Sequence, residues 1–383
     1  MRTDMAAEFG FDPGLTVLNH ASFGVPTREL LDEADRYRRA IERDIARGLG
    51  RAFLAEARPG IEETARRLGA GDMAFAFTSN TSEGASAVAA GWPLEEGDAV
   101  VLGSAEYPPV VRAWRQAAER ARARVVLVDL PLPWTAEGWR HALAAAAQET
   151  PVAAAHNVVG VVSLVASAPG AAPPLAEFRT WLRGLGGSLV VDAAHGPGHV
   201  DLDIDGLGAD AVFGTLHKWL PIPRGAGFLA VREEYAHRIV PPVVSHTHDA
   251  AALEERFAMP GSFDPVPRLL VASAWRTWQE WEDAGLLKAA VGVADTADVL
   301  LSEAGLRPTS EAGLRAPRLR GFSVPGLPVP EVAAVLADAG LHAWLGPLPD
   351  GTTGLRVATH VWSEPVDIER LADTLRPHVA GAA

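Results

Sequence analysis

The chain has no cysteine, although it is 383 residues long and 48% of them are hydrophobic. Without thiols it can form no disulfide, no thiolate metal cluster and no catalytic or persulfide-carrying cysteine. Positive charge is also scarce, because 34 lysines and arginines face 48 aspartates and glutamates, a formal net charge of −14. The basic residues are scattered, so the sequence predicts no nucleic-acid-binding surface and favours small-molecule partners.

Long uninterrupted apolar runs are missing as well. The most apolar stretch, residues 152–172, is broken by a histidine, an asparagine, a proline and two glycines. A lipid-exposed helix would not tolerate that pattern, so we expect no membrane span. The first residues include Asp4 and Glu8, where a signal peptide would be apolar. We therefore expect a cytoplasmic protein.

Short apolar runs alternate with helix-like stretches from about residue 60 to 235, which is typical of an α/β sheet. Amphipathic stretches such as Pro109–Ala121 and Leu175–Leu185 predict helices on both faces of that sheet. Seven runs predict buried, mostly parallel strands. They are Met73–Thr78, Ala99–Gly103, Arg124–Asp129, Val152–His156, Ser188–Asp192, Ala211–Gly214 and Gly227–Val231.

Beyond residue 250 the sequence predicts a long helical stretch with Trp275, Trp278 and Trp281 at three-residue spacing, most simply a core or dimer-interface stripe. Shorter elements follow Gly305, namely strands at Gly321–Val324 and Gly354–Thr359 and helices at Pro330–Ala339 and Val366–Leu375. We predict an N-terminal arm over residues 1–15 that joins the small domain, a large domain over 16–265, and a small C-terminal α+β domain over 266–383.

Two strand ends carry reactive side chains. The first run is Val190-Val-Asp-Ala-Ala-His-Gly-Pro-Gly-His199, and the second is Phe213-Gly-Thr-Leu-His-Lys-Trp-Leu220. Ligands of open α/β sheets collect at the carboxyl ends of strands, so Asp192 and Lys218 can meet in one crevice. A carboxylate there can hold a protonated ring nitrogen, and a lysine there can form a Schiff base. Both needs belong to pyridoxal 5′-phosphate chemistry.

A phosphate cradle is offered by Phe77-Thr-Ser-Asn-Thr-Ser-Glu-Gly84, between a strand and an alanine-rich helix. The amides of a helix N-terminus attract dianions, and Thr81 and Ser82 would add hydroxyl donors. An ordinary helix N-cap is the alternative reading. The presence of Asp192 and Lys218 favours the cradle.

With these motifs the chain resembles the class V aminotransferase branch of fold-type I pyridoxal phosphate enzymes, in its isopenicillin N epimerase-like and cysteine desulfurase-like group. Its opening motif stands as Leu18-Asn-His-Ala-Ser-Phe-Gly24. Asp-x-Ala-His and Thr-x-His-Lys-Trp are the most specific motifs. The resemblance implies a large domain with a mostly parallel seven-stranded sheet, and a homodimer with shared active sites.

The resemblance also implies residue roles. Lys218 would carry the cofactor and move the Cα proton, Asp192 would pair with the pyridine nitrogen, and His195 would lie near the phenolic oxygen. Further cofactor contacts are implied for Asn80, Thr81, Ser82, Tyr107 (ring stacking), Asn157 (donor to the phenolic oxygen), Thr215, His217 and, in the neighbouring subunit, Ser262. Substrate contacts are implied for His20, Ser22 and Arg356, the last as the clamp on the α-carboxylate.

Two segments depart from the family pattern. Val361-Trp-Ser-Glu364 replaces a common Tyr-Asn-Thr run, and Gly261-Ser-Phe-Asp264 has no arginine where relatives read Gly-Thr-Arg-Asp. An anionic tail on the substrate thus loses one expected partner.

Other site types are disfavoured. His195 and His199 stand four apart near three aspartates, but Pro197 and Gly198 interrupt any helix that would pair them as ligands, so we expect no metal. The sequence also lacks a Gly-x-Ser-x-Gly elbow and a complete dinucleotide fingerprint. A non-catalytic binding protein would be free to lose Lys218.

The reaction stays open between several outcomes. Without a thiol, a desulfurase route through an enzyme persulfide is excluded, whereas direct β-elimination needs none. We favour a C–S lyase acting on an S-substituted cysteine, in a setting of specialised metabolism. Decarboxylation-linked deamination, transamination and epimerisation are the alternatives.

Overall fold

The structure, a computed structural model, describes residues 2–379 except for the side chains of residues 2–4 and 51. The strands are β1 (Thr16–Val17), β2 (Ala74–Thr78), β3 (Ala99–Gly103), β4 (Arg124–Val128), β5 (Val158–Ser163), β6 (Ser188–Asp192), β7 (Ala211–Thr215), β8 (Gly227–Val231), β9 (Arg307–Pro308), β10 (Leu319–Val324), β11 (Leu341–His342), β12 (Trp344–Pro347) and β13 (Thr353–Ala358). The α-helices are α1 (Arg2–Ala7), α2 (Arg28–Arg43), α3 (Ile45–Gly48), α4 (Arg51–Arg67), α5 (Thr81–Gly91), α6 (Pro108–Ala121), α7 (Ala136–Ala146), α8 (Thr150–Ala153), α9 (Leu175–Gly184), α10 (Glu233–Ala236), α11 (Leu253–Arg256), α12 (Val266–Leu269), α13 (Val271–Asp283), α14 (Leu286–Glu303), α15 (Val329–Asp338) and α16 (Pro365–Val379).

Seven strands form the large sheet, in the order β2-β8-β7-β6-β5-β3-β4. Only β8 runs against its neighbours, so the prediction of a mostly parallel seven-stranded sheet is confirmed. Three strands, β3, β6 and β8, have the predicted bounds, and three others differ by one residue at one end. Their buried, β-branched runs leave little choice of secondary structure, because a strand covered on both faces needs continuous apolar sequence.

The predicted strand at Val152–His156 is wrong. Thr150 and Pro151 begin the short helix α8, and the strand at this place in the sheet is β5, six residues further along the chain. Both segments are short and apolar, which periodicity alone cannot tell apart. Proline at the start of a helix favours the first segment as α8, and four valines around Gly160 favour the second as β5.

Helices cover both faces of the sheet. On one face α5 and α6 pack their small and aromatic side chains, including Trp114, into one core cluster. On the other face α2, α7, α9 and α13 build the larger cluster, to which α13 contributes Trp275. Trp281 is also buried, in a separate cluster with Phe9 and Trp362, so the tryptophan stripe packs inside the chain. Within residues 2–379 no helix combines the length and apolar character needed to cross a bilayer.

A second, antiparallel sheet forms beyond residue 305, in the order β12-β13-β10-β9, with α14, α15 and α16 packed around its core. Strand β13 is buried at every position, and it carries Arg356. The N-terminal segment reaches this part of the molecule, because Thr16 pairs with Leu341 in a parallel bridge between β1 and β11. The division of the chain into domains stays a prediction.

Candidate active site

The carboxyl ends of the central strands meet at one edge of the large sheet. Asp192 is the last residue of β6, Ser163 the last of β5 and Thr215 the last of β7. Lys218 follows three residues after β7, in a turn that packs closely against the opening motif. Gly24 (φ +72°) is required there, because a Cβ at that position would lie 1.5 Å from the backbone oxygen of His217. The topology therefore brings Asp192 and Lys218 to the same edge, as the strand-end argument predicts.

Lys218 contacts His195, with 3.3 Å between Nζ and His195 Nε2. The indole Nε1 of Trp219 lies 3.3 Å from His195 Nδ1 and donates to it. Because Nδ1 accepts, the imidazole proton sits on Nε2 and is directed at Lys218. Burial lowers the pKa of Lys218 to about 8, although the Asp192 carboxylate opposes that shift. The lowered pKa leaves a larger share of this amine neutral at neutral pH than in an ordinary lysine.

Asp192 is buried, and its Oδ1 accepts a 2.8 Å hydrogen bond from the Ala194 amide. Burial raises the pKa of Asp192 to about 6, while the Ala194 amide and the Lys218 charge pull it down. Among the described residues, Oδ2 of this carboxylate has no hydrogen-bond partner. That oxygen can therefore bind a cation or accept a hydrogen bond from a protonated ring nitrogen.

The phosphate cradle contains a buried hydroxyl without a partner. Thr81 is the first residue of α5, and its buried Oγ1 has no hydrogen-bond partner. Asn80 caps the helix by accepting from the Glu83 amide at 3.0 Å, so its side-chain oxygen performs the ordinary N-cap function. Gly227 lets the chain approach, because a Cβ there would lie 2.9 Å from Asn80 Cα. Ser82 is partly exposed in the same first turn.

Two further predicted phosphate ligands already have partners. Thr215 Oγ1 donates to the Ala194 carbonyl at 3.0 Å. His217 Nδ1 lies 2.8 Å from the Ala226 carbonyl and donates to it, which leaves Nε2 as the nitrogen that can face a ligand. Burial lowers the pKa of His217 to about 4. A nearby dianion would reverse that shift by favouring the imidazolium.

Arg356 is 1% exposed and has no carboxylate partner among the described residues. Its Nη1 donates to Ser167 Oγ at 2.7 Å, and its Nη2 donates to Ser22 Oγ at 2.9 Å. Its Nε has no partner, and burial lowers its pKa to about 10. A buried guanidinium held by neutral groups can accept a carboxylate from a ligand.

Asn157 lies at the wrong end of the sheet for its predicted role. It precedes β5, so it sits at the amino edge, where its backbone N and its Nδ2 both donate to Asp98 Oδ1 at 3.1 Å. The error follows from the misplaced strand: with the strand ending at residue 156, Asn157 would have followed it at the carboxyl edge. The residues that do follow β5 include Ser167, which contacts Arg356.

Three more residues were predicted to contact the cofactor or the substrate, namely His20, Tyr107 and Ser262. His20 is buried edge-on against Trp219, His360 and Trp362, and neither of its ring nitrogens has a partner. Tyr107, 40% exposed, precedes α6 at the carboxyl edge of β3. Ser262 is exposed and lines a cavity of about 440 Å³ with residues around 49–53 and 245–265. Its role toward a neighbouring subunit stays a prediction.

One buried pair at this edge was missed by the sequence reasoning. Glu106 Oε1 accepts from the Ser163 amide at 2.9 Å, and Oε2 lies 2.5 Å from Ser163 Oγ. Burial raises the pKa of Glu106 to about 8, and the Asp192 charge adds to that rise. Glu106 directly precedes Tyr107, but its partner Ser163 could not be known while β5 was misplaced.

The indole of Trp219 was also assigned no role from the sequence. His199 stacks on it with 3.8 Å between ring centroids, and the Arg318 guanidinium lies over it at 4.9 Å. These contacts hold the indole in place, and its Nε1 in turn orients His195 through the hydrogen bond to Nδ1. The signal was present, because Trp219 completes the Thr-x-His-Lys-Trp motif, but sequence spacing does not reveal the stacking.

The sheet order, with a strand-end aspartate and a buried lysine at the same edge, defines an enzyme of the fold-type I pyridoxal phosphate class. The chain belongs to the class V aminotransferase family, whose model matches residues 42–258. The cofactor of this enzyme is pyridoxal 5′-phosphate.

Three individual relatives are similar to this chain in sequence. An isopenicillin N epimerase of Streptomyces clavuligerus is 30% identical over 243 residues, covering 62% of this chain and 58% of that protein. A protein of Oryza sativa subsp. japonica named as L-cysteine desulfhydrase 1 is 31% identical over 253 residues, covering 62% of this chain and 52% of its own length. The isopenicillin N epimerase of Amycolatopsis lactamdurans is 28% identical over 395 residues, covering 96% of both chains. The matches to the first two thus span little more than half of each relative.

Among solved structures, the apo cysteine desulfurase of Thermococcus onnurineus NA1 superposes with a TM-score of 0.82. It is 20% identical in sequence, and the match covers 99% of this chain and 98% of that one. At this identity the likeness concerns the fold.

The residues present fit the cofactor. The orphaned hydroxyl of Thr81 at a helix N-terminus suits a phosphate, the free oxygen of Asp192 suits a protonated ring nitrogen, and the buried amine of Lys218 suits a carbonyl. Each group is costly to bury without a partner, and the cofactor supplies all three partners at once.

Proposed function

We propose that this protein is a C–S lyase that cleaves S-substituted cysteines by β-elimination. One S-substituted cysteine and one water give one thiol, one pyruvate and one ammonium ion. The C–S bond breaks, the sulfur leaves with the electron pair and takes a proton, and water replaces the amino group at Cα.

The observation that carries the proposal is Lys218 itself. The chain contains two lysines, and the other, Lys288, is exposed on α14. Lys218 is therefore the one buried amine that can hold the cofactor. With its pKa lowered to about 8, it can also take a proton from Cα and return one later.

The other side chains position the substrate around that proton transfer. When bound, pyridoxal phosphate supplies an electron sink that makes the Cα proton acidic. Arg356 would clamp the α-carboxylate through its free Nε edge, supported from behind by Ser22 and Ser167. His195 would orient Lys218 through its Nε2 proton. Asp192 would keep the ring nitrogen protonated.

The absence of cysteine supports direct elimination over sulfur transfer. A desulfurase that stores sulfur as an enzyme persulfide needs a thiol, and this chain has none. The name of the rice relative, an L-cysteine desulfhydrase, agrees with loss of sulfur from cysteine.

A homodimer completes the proposal. Ser262 lies beside Phe263 on a partly exposed segment that lines the 440 Å³ cavity, and the resemblance assigns this segment to the neighbouring subunit's phosphate. Light scattering coupled to size exclusion should give twice the chain mass of 40.4 kDa. A monomeric holoenzyme with full activity would contradict the shared site.

The test of function starts with the lysine. Borohydride reduction of the holoenzyme followed by peptide mapping should place the pyridoxyl group on Lys218 and leave Lys288 unmodified. Lys218→Ala should lose the yellow covalent complex, whereas the control Lys288→Ala should keep it. Label on Lys288 would refute the assignment.

The reaction is then tested with S-alkyl cysteines. Wild type and Lys288→Ala should release thiol and pyruvate in equal amounts, and Lys218→Ala should release neither. Inversion at Cα with deuterium uptake from solvent and no thiol would establish epimerisation instead. An aldehyde with carbon dioxide would establish decarboxylation-linked deamination, and a keto acid retaining the sulfur substituent would establish transamination.

A further inference from the structure

One cavity of the structure has no place in the proposed reaction. It has a volume of about 650 Å³ and lies between the segment after β6, the end of α4, and helices α13 and α14. Its lining includes Arg318, His199, Trp275 and Trp278, and none of Lys218, Asp192, His195 and Arg356. A space of this size accommodates a small organic molecule.

Arg318 is the unusual member of the lining. It is 2% exposed, its Nη2 donates to the Gly198 carbonyl, and its Nη1 has no hydrogen-bond partner. Among the described residues no carboxylate pairs with it, whereas nearby Arg320 is bonded to Asp298 at 2.7 Å and to Asp295 at 2.8 Å. An unpaired buried guanidinium is costly unless an anion approaches it.

Three aromatic side chains of the wall already have hydrogen-bond partners, whereas Asp201 and Lys288 are exposed at its rim. His199 Nδ1 donates to the His195 carbonyl at 2.9 Å, and its Nε2 accepts from the Arg318 amide at 3.0 Å. Trp278 Nε1 donates to the Gly198 carbonyl at 3.1 Å, and Trp275 Nε1 donates to Thr64 Oγ1 at 3.1 Å. Both indole nitrogens are therefore occupied. Arg67 lies over the Trp275 ring at 5.2 Å, so Trp278 is the indole that offers the cavity a carbon surface.

The structure points to a binding site for a small carboxylate that carries a planar apolar group, and we propose that this cavity is that site. The carboxylate would pair with the Arg318 guanidinium, and the apolar group would lie against Trp278. Glu282, an exposed lining residue, is the carboxylate that could compete for Arg318. This site goes beyond the proposed reaction and does not depend on it.

The test compares two probes of nearly equal shape, phenylacetate and neutral phenylacetamide, by calorimetric titration of the holoenzyme. Phenylacetate should bind at least about tenfold more tightly than the amide, because only the anion pairs with the guanidinium. Arg318→Gln should abolish that preference. Glu282→Gln should tighten phenylacetate binding, since it removes the competing carboxylate.

A second variant covers the case in which Arg318→Gln does not fold. Val291→Trp places a bulky side chain in the cavity from α14 without removing a polar group, and it should abolish binding. Val299→Trp, the same change at an exposed position on the same helix, should leave binding intact.

Binding at the active site must be distinguished, because Arg356 is also a carboxylate site. Arg356→Gln should keep phenylacetate binding at the cavity. Loss of binding in Arg356→Gln with no effect of Val291→Trp would overturn the proposal. So would an absence of binding at millimolar phenylacetate, or equal affinities for the acid and the amide.

Discussion

Replacing Glu106 by glutamine should change how stability depends on pH. The buried carboxyl of Glu106 faces Ser163 and the charge of Asp192, and its pKa is raised from 4.5 to about 8. A folded-state pKa above the unfolded value means that the native state binds the proton more tightly. The stabilisation is fully present below pH about 4.5 and is lost as the pH rises toward 8.

The expected size follows from one proton. Between pH 5.5 and 7.5 the native carboxyl is protonated and the unfolded one is not, so the free energy of unfolding should fall by about 1.4 kcal/mol per pH unit from this group. Glutamine keeps the size and can accept from the Ser163 amide, but it does not titrate. As the pH rises across that range, the free energy of unfolding of Glu106→Gln should therefore increase relative to that of wild type by up to about 3 kcal/mol.

Urea unfolding followed by tryptophan fluorescence measures this difference. The cofactor-free chain should be used at one protein concentration, because a bound pyridinium would change the charge at Asp192. Glu119→Gln, an exposed carboxyl on α6, is the matched control and should run parallel to wild type. Parallel pH dependences for wild type and Glu106→Gln would refute the account of a protonated, buried Glu106.

Three further substitutions probe the site. Thr81→Val should weaken cofactor binding by about 10- to 100-fold in a spectroscopic titration, because a hydrogen bond to a charged phosphate is lost, while Thr81→Ser should bind nearly as wild type. Asp192→Asn should retain part of the cofactor but lower turnover by about two orders of magnitude or more, and near-native turnover would exclude its role toward the ring nitrogen. Arg356→Lys should raise KM for the amino acid by about tenfold or more with a smaller change in kcat, since an ammonium cannot replace the planar fork. If wild type accepted an amino acid amide as readily as the acid, Arg356 would not be the carboxylate clamp.

The local sequence was enough to predict most strands of the large sheet. Continuous buried runs such as Ala99–Gly103 and Ser188–Asp192 have one stable outcome, so their bounds were predictable to the residue. The apolar run before Asn157 was compatible with a strand or a short helix, and periodicity alone favoured the strand, which was wrong. Because a strand's two ends lie on opposite edges of the sheet, that slip of six residues moved Asn157 to the far edge from Lys218.

What the sequence determined by itself is the chemistry: a lysine and an aspartate at strand ends, a helix N-terminus rich in hydroxyls, and no thiol. Such features depend on residue type and short spacing. Tertiary structure alone decided which groups are buried without partners. Arg318 and Arg320 are two residues apart, yet of the two only Arg320 is bonded to carboxylates. Helix α14 places Asp295 and Asp298 beside Arg320, whereas a cavity lies beside Arg318. The pairing of a buried charge depends on segments distant in sequence, and so does its pKa.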